Sequence, residues 1–312
     1  MSDSSGVSTS AAAAPAVQVQ SLSKVFGKGA TATVAVDAVD LEVRPGEVVG
    51  FLGPNGAGKT TVLRVLTGAL RATAGRATVL GFDPFRQAAL AHEQIGYLPG
   101  DLRLPGNLTG KRVLDLCAAA RGSEPVDFTA IVDALEVPLA VEVAALSKGN
   151  RQKVGIAQAL MSRPSVLLLD EPTSGLDPLA QQVLEELLRV AAARGAAVLL
   201  SSHVLSEVEQ VADRVVMLRH GRVVASTRLD ELRAAAPHAV EIATDDRAAE
   251  TRLAAVPGAR GFGWAGTRLS FTVPSDSIGQ LLTALAAEQP RDVSITPADL
   301  ETLFRHFYEE SR

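Results

Sequence analysis

With 312 residues, 47% apolar and 21% charged, the chain has the make-up of an ordinary globular protein of about two domains. Its net charge of −5 gives no sign of the basic stripe that nucleic acid requires, and its single cysteine, Cys117, excludes an internal disulfide framework. No stretch approaches the roughly 18 consecutive apolar residues of a membrane span, and the opening MSDSSGVSTSAAAAPA lacks the basic residues of a secretory signal. Residues 1–16 therefore read as a disordered tail on a cytosolic protein, whose tie to a membrane would come through a partner.

After the tail, VQVQSLSKVF alternates as a strand does, and ATVAVDAVDLEV gives further short strands before the turn RPGE. EVVGFLG is a continuous apolar run, the pattern of a strand buried on both faces. It feeds a glycine-rich loop and a helix carrying Val62, Leu63, Val65, Leu66 and Leu70. Residues 84–163 read mostly as helix, broken by GYLPGDLRLPGN, which is too rich in Gly and Pro for either regular state. Cys117 falls in this region on a helical pattern, as a buried inert thiol.

SVLLLDEP is a second buried strand; Asp177 then offers an N-cap and Pro178 a first helical residue for a helix that stops at Gly195. AAVLLSSH is a third strand, VLSEVEQVAD a helix, and RVVMLRHGRVVAST a hairpin turning at His220-Gly221. Strands alternating with helices predict a largely parallel α/β sheet. Late in the chain the composition shifts. Residues 236–312 hold seven Arg and no Lys against eleven acids, and six of the twelve aromatic residues. Their strand and helix patterns, ending in a helix over PADLETLFRHFYEE, predict a small α+β accessory domain at 236–312 beside a main domain at 17–235.

Two segments carry phosphate chemistry. GPNGAGKTT, from Gly53 through Pro54, Asn55, Gly56, Ala57, Gly58, Lys59 and Thr60 to Thr61, matches the P-loop pattern. Its glycines let backbone N–H groups turn towards phosphates at the positive end of a helix. Lys59 is expected to reach the β- and γ-phosphates, and the Thr60 hydroxyl to bind Mg²⁺. In VLLLDEP, Asp170 ends the apolar run and would hold Mg²⁺, while Glu171 would orient and deprotonate an attacking water. The second segment is LSKGNRQK, where Ser147, Lys148, Gly149 and Arg151 crowd the start of an apolar helical run.

With the P-loop, LSKGNRQK, LLLDEPTSGLD and SSHVLSE in this order, residues from about 17 to 230 resemble the ATP-binding subunit of a bacterial ABC transporter, most like drug-export ATPases that drive a separate membrane permease. The resemblance implies a P-loop NTPase fold of the ABC type with a helical subdomain at about 84–163, ATP and Mg²⁺ as ligands, and a head-to-tail pair with a second copy of the domain. It implies that Ser147 and the Gly149 N–H cap the γ-phosphate held by the partner's P-loop, which explains two phosphate-binding surfaces in one chain. It further implies that Phe26 stacks on adenine, that His203 contacts the γ-phosphate and the catalytic water, and that Asp177 communicates across the pair, although the residue could equally serve only as the N-cap of its helix, or do both. The region around 96–112 would transmit closure to the permease.

Three positions depart from that family's pattern. Gly100 stands where a glutamine is usual, Lys148 where a glycine is, and Asn150 where a glutamine is. An ABC ATPase of the ribosome- or DNA-acting kind is disfavoured by the single P-loop, the lack of heptads and the acidic balance. A regulatory subunit without turnover finds support only in the missing glutamine.

Overall fold

The computed structural model describes residues 14–121, 128–235 and 237–297, which fall into two compact units dividing between Ser226 and Thr227. The expected terminal helix and nearly all of the expected tail lie outside the described residues. Ala16, placed in that tail by the sequence, is instead buried, and its N–H donates to Val43 O at 2.8 Å.

The first unit contains two sheets. One is antiparallel and three-stranded, with β1 (Val17–Phe26) between β2 (Thr33–Val43) and a later strand. The chain then enters β3 (Val48–Leu52), α1 (Lys59–Leu66) and β4 (Ala74–Val79), which completes that antiparallel sheet. Next come α2 (Ala88–Glu93), β5 (Ile95–Leu98), α3 (Gly110–Ala120), α4 (Thr129–Ala134), α5 (Lys148–Leu160), β6 (Val166–Asp170), α6 (Pro178–Ala193), β7 (Ala197–Ser202) and α7 (Leu205–Glu209). The hairpin β8 (Arg214–Arg219) and β9 (Arg222–Arg228) closes the larger sheet, whose order is β5-β6-β7-β3-β8-β9.

From β5 to β8 every pairing in that sheet is parallel, as the alternation of strands and helices requires. β3, β6 and β7 are buried at every residue, which is why each reads as an unbroken apolar run. Phe51, Leu63, Leu66, Leu168 and Leu199 are among the side chains that fill the core beneath them. The order places the C-terminal ends of β3, β6 and β7 side by side. Ligands bind beyond such strand ends in open α/β sheets.

The structure corrects the sequence reading in several stretches: α1 stops at Leu66, short of Leu70, and Thr33–Val43 is one long strand instead of several short ones. Ile95–Leu98 overlaps the segment expected to be irregular, yet it is a strand paired from Ile95↔Val166 to Leu98↔Leu169. Tertiary contact overrides local propensity there: a β carbon on Gly96 would lie 2.1 Å from Ala159 O, so glycine is what lets the strand press against α5. The helix expected over VLSEVEQVAD ends early, at Glu209. Asp213 is drawn into β3, its N–H donating to Val48 O and its carboxylate accepting from the Val48 N–H, each at 2.8 Å.

In the second unit α8 (Leu229–Ala235) precedes β10 (His238–Ala243), α9 (Ala249–Leu253), β11 (Arg260–Ala265), β12 (Arg268–Val273), α10 (Ile278–Glu288) and β13 (Asp292–Pro297). From β10 onward this is a β-α-β-β-α-β unit with sheet order β11-β12-β10-β13, all antiparallel. Val240, Ile242, Leu253, Leu269, Phe271 and Leu281 make its own core.

Candidate active site

The loop between β3 and α1 is shaped by glycines at points where nothing else fits. A β carbon on Gly53 would lie 2.4 Å from Leu218 O, and one on Gly58 2.5 Å from Ala35 O. Gly58 also has φ +110° and Gly56 φ +81°, in the left-handed region that glycine alone enters at no steric cost. The loop walls an open cavity of about 330 Å³ lined by Ala35, by every residue from Pro54 to Thr61, and by Glu171. Backbone N–H groups and the N-terminus of α1 give this cavity the character of an anion cradle.

Lys59 is the cationic group of the cradle and is 6% exposed. Its Nζ donates to Gly53 O at 2.5 Å and Pro54 O at 3.4 Å, and it pairs with Glu171 Oε1 at 3.4 Å. A buried ammonium must have partners, and these three hold its place facing the cradle.

Asp170 and Glu171 follow one another at the end of β6 but differ in setting. Asp170 is 1% exposed; its Oδ1 accepts from Ser201 Oγ at 2.6 Å. Its Oδ2 is the one buried side-chain nitrogen or oxygen without a hydrogen-bond partner among the described residues. Leaving such an atom unpaired costs about 1–3 kcal/mol, so it is poised for a cation or a water. Tyr97 registers the same carboxylate: burial pushes its phenol up, and the charge of Asp170 pushes it further against the opposing Arg64.

Glu171 has φ +49°, a left-handed conformation that is costly for a residue with a side chain. Its N–H is held by Ser201 Oγ at 3.1 Å and Ser201 O at 3.2 Å, and its carbonyl accepts from Gln152 Nε2 at 3.2 Å. Oε2 lies 2.7 Å from Nδ1 of the exposed His203, just past β7. A carboxylate only accepts, so Nδ1 carries the proton of that bond. The carboxylate is thus aimed from below by the backbone and from the side by two cationic or donor groups, Lys59 and His203.

Among the described residues no group of three or more His, Cys, Asp or Glu could hold a metal unaided. Thr60 on the cradle wall and the buried Asp170, one residue before the wall's Glu171 and with an oxygen left unpartnered, are instead oxygen donors of the kind that suits Mg²⁺ arriving with a polyphosphate.

Ser147 and Gly149 do not line this cavity. Ser147 is exposed and caps α5 by accepting from the Asn150 N–H at 3.2 Å. Gly149 packs on the next loop so closely that a β carbon would lie 2.5 Å from Gly175 O. Lys148 reaches the same loop, donating to Ser174 Oγ at 2.8 Å. Phe26, at the end of β1, is 44% exposed and has Lys24 Nζ 5.1 Å from its ring centroid; it too is outside the lining.

Asp177 is the N-cap of α6 and accepts from the Ala180 N–H at 2.9 Å, with Pro178 in the first helical turn. That bond holds its carboxyl below the usual carboxylate range. A lowered folded-state pKa supplies stability above the unfolded value that is lost as pH falls through the folded one. Asp177→Ala should accordingly melt at a lower temperature than the parent near neutral pH, and the gap should narrow under acid; thermal melts across pH check this.

Three contributors escaped the sequence reading. Gln152 is buried in α5, yet in the sequence it stands between Arg151 and Lys153, where nothing sets it apart from its polar neighbours. Ser201 orients Asp170 and Glu171, and Glu207 accepts from Ser202 Oγ at 2.6 Å and Thr173 Oγ1 at 2.8 Å; both lie in SSHVLSE, where the sequence reading gives a role to His203 alone. Cys117, expected to be buried, is only half-buried; burial still raises its thiol pKa, against the opposing charge of Arg121.

Residues 36–174 match the family model described as ABC transporter. An uncharacterized ABC transporter ATP-binding protein of Nostoc sp. is 36% identical over 69% of this chain and 67% of its own length. The Nod factor export ATP-binding protein I of Rhizobium etli is 35% identical over 70% of this chain and 69% of its own. A solved dimeric ATP-binding cassette in a post-hydrolysis state, bound to ADP and Pi, shares the fold with a TM-score of 0.62 at 23% identity, covering 68% of this chain and 98% of that one.

Proposed function

We propose, from the premise that this chain belongs to the ABC transporter ATP-binding proteins, that two copies close head to tail around ATP and thereby drive a separate membrane permease. The chain is an ATP-binding subunit and an ATPase; the pairing, the permease and the residue roles are our reading. The observation that carries the pairing is the separation of two phosphate-type surfaces. The cradle at 53–61 is complete on one side, while Ser147 and Gly149, with Ser147 exposed at the N-terminus of the thirteen-residue α5, lie outside it. In a head-to-tail pair the second copy's Ser147 and Gly149 cap the γ-phosphate gripped by Lys59 and the N–H groups of the loop.

Within that closed site Glu171 takes the proton of the attacking water, and the Nδ1–H of His203 keeps its carboxylate aimed. Phe26 offers its exposed ring face to adenine. Thr60 and Asp170 would hold Mg²⁺, which when bound neutralises charge on the phosphates. Asp177 signals across the pair from the start of α6. Among the described residues no helix is long and apolar enough to cross a membrane. Our reading posts the chain at the cytoplasmic face of the membrane, held there by the separate permease. The name of the Nod factor relative supports export as the direction.

The test is complementation. Lys59→Ala and Ser147→Arg should each abolish phosphate release alone, yet their mixture should regain it, because a mixed pair keeps one site with an intact cradle and an intact cap. Specific turnover of the parent chain should also fall on dilution. A mixture that stayed inactive, together with turnover independent of concentration, would remove the shared site.

A further inference from the structure

We propose that Gly100 is a positioning residue: its lack of a side chain keeps the buried, unpartnered Asp170 Oδ2 unobstructed for the metal that accompanies the nucleotide. The inference rests on the reading of the nucleotide site given above. It begins with the one buried oxygen left without a partner among the described residues. A β carbon on Gly100 would lie 3.0 Å from that oxygen and 3.2 Å from Asp170 Cγ, closer than ordinary van der Waals contact. Gly100 is not among the glycines with positive φ, so proximity to Asp170, not backbone conformation, is what calls for glycine.

Neither side of the contact can easily withdraw. The carboxylate is fixed through Oδ1 by Ser201 Oγ at 2.6 Å. The segment carrying Gly100 is clamped to α5 at two points: Gly96 against Ala159 O, and Leu98 and Leu102 over Gly155, where a β carbon would lie 2.7 Å and 2.5 Å from their methyl groups. Asp101 offers no substitute carboxylate, since its Oδ2 accepts from Arg103 Nε at 3.1 Å and Nη2 at 2.8 Å. The backbone therefore passes Asp170 so closely that a β carbon would have to push the carboxylate aside by a few tenths of an ångström, and glycine leaves the buried Oδ2 without a side-chain neighbour there. Where the resemblance leads one to expect a glutamine, this chain leaves room for the acid itself. Restoring the glutamine should then weaken metal-assisted binding rather than improve it.

The experiment is calorimetric titration of ATP into the full-length protein and its Gly100→Ala and Gly100→Gln forms, each in excess Mg²⁺ and in EDTA. Alanine adds the β carbon alone, and melting curves in EDTA report whether each variant is folded. The expected result is parent-like affinity for both variants in EDTA and a tenfold or greater loss in Mg²⁺. Gly100→Gln binding ATP in Mg²⁺ as tightly as the parent, or more tightly, overturns the proposal. So does an equal loss in both media, or a variant that does not fold, since either makes the glycine a requirement of the loop and not of the metal. A parent chain that bound ATP in neither medium would overturn the nucleotide site itself, a result distinct from any difference between variants.

Discussion

Replacing Glu171 by glutamine should leave a protein that binds ATP and stays paired around it, while steady-state phosphate release falls about 10²–10⁴-fold, the usual contribution of a positioned general base. The substitution isolates chemistry from geometry. The left-handed turn at residue 171 is held through its backbone, by Ser201 on the N–H and Gln152 on the carbonyl, and those bonds do not involve the side chain. Glutamine keeps the volume and an oxygen that accepts from His203, and loses the capacity to take a proton together with the charge that pairs with Lys59. Size-exclusion chromatography with ATP should show a persistent dimer, and a coupled phosphate assay should show the loss of turnover. Release at near the parent rate would show that Glu171 is not the base.

Lys59→Ala should raise the Kd for ATP by roughly 10–150-fold, from about 1.5–3 kcal/mol for a hydrogen bond to a charged group. Its ammonium is the cation on the cavity wall, drawn in by Gly53 O, Pro54 O and Glu171, and phosphate oxygens would compete for the same donors. The substitution also takes away one of the two positive or donor groups beside Glu171, leaving His203. Fluorescent-nucleotide titration measures the change, and a melting curve without nucleotide controls for folding. Unchanged affinity would contradict the role given to the cradle.

The elements that position these groups differ in how plainly the sequence announces them. The cradle was legible because its chemistry is contiguous: glycines, lysine and threonine lie within nine residues, between a buried strand and a helix. Asp170 and Glu171 were legible because a strand buried at every residue ends on them. Asp177 was legible because capping is local. What stayed hidden depends on pairing across long separations. β5 is four residues carrying a glycine, and it is a strand only because β6 lies beside it. The grip of Ser201 on Asp170 spans 31 residues of sequence, and that of Thr173 on Glu207 spans 34. Gly100 is the instructive case. The residue type alone marked the loss of a side-chain contact, whereas its closeness to Asp170, on which the proposal above rests, is something no pattern carries.

The two hydrogen bonds from Gln152 have a mechanical result. Its amide nitrogen grips the carbonyls of Glu171 and Pro172 at 3.2 Å and 3.0 Å, from the second turn of the helix that Ser147 begins. In the pair we propose, the hand lent to a neighbour's nucleotide and the proton acceptor kept for one's own would therefore be bolted to a single strut. On that reading, a shift of the strut would displace both together, so letting go of one ATP and readying water for the other would be one motion.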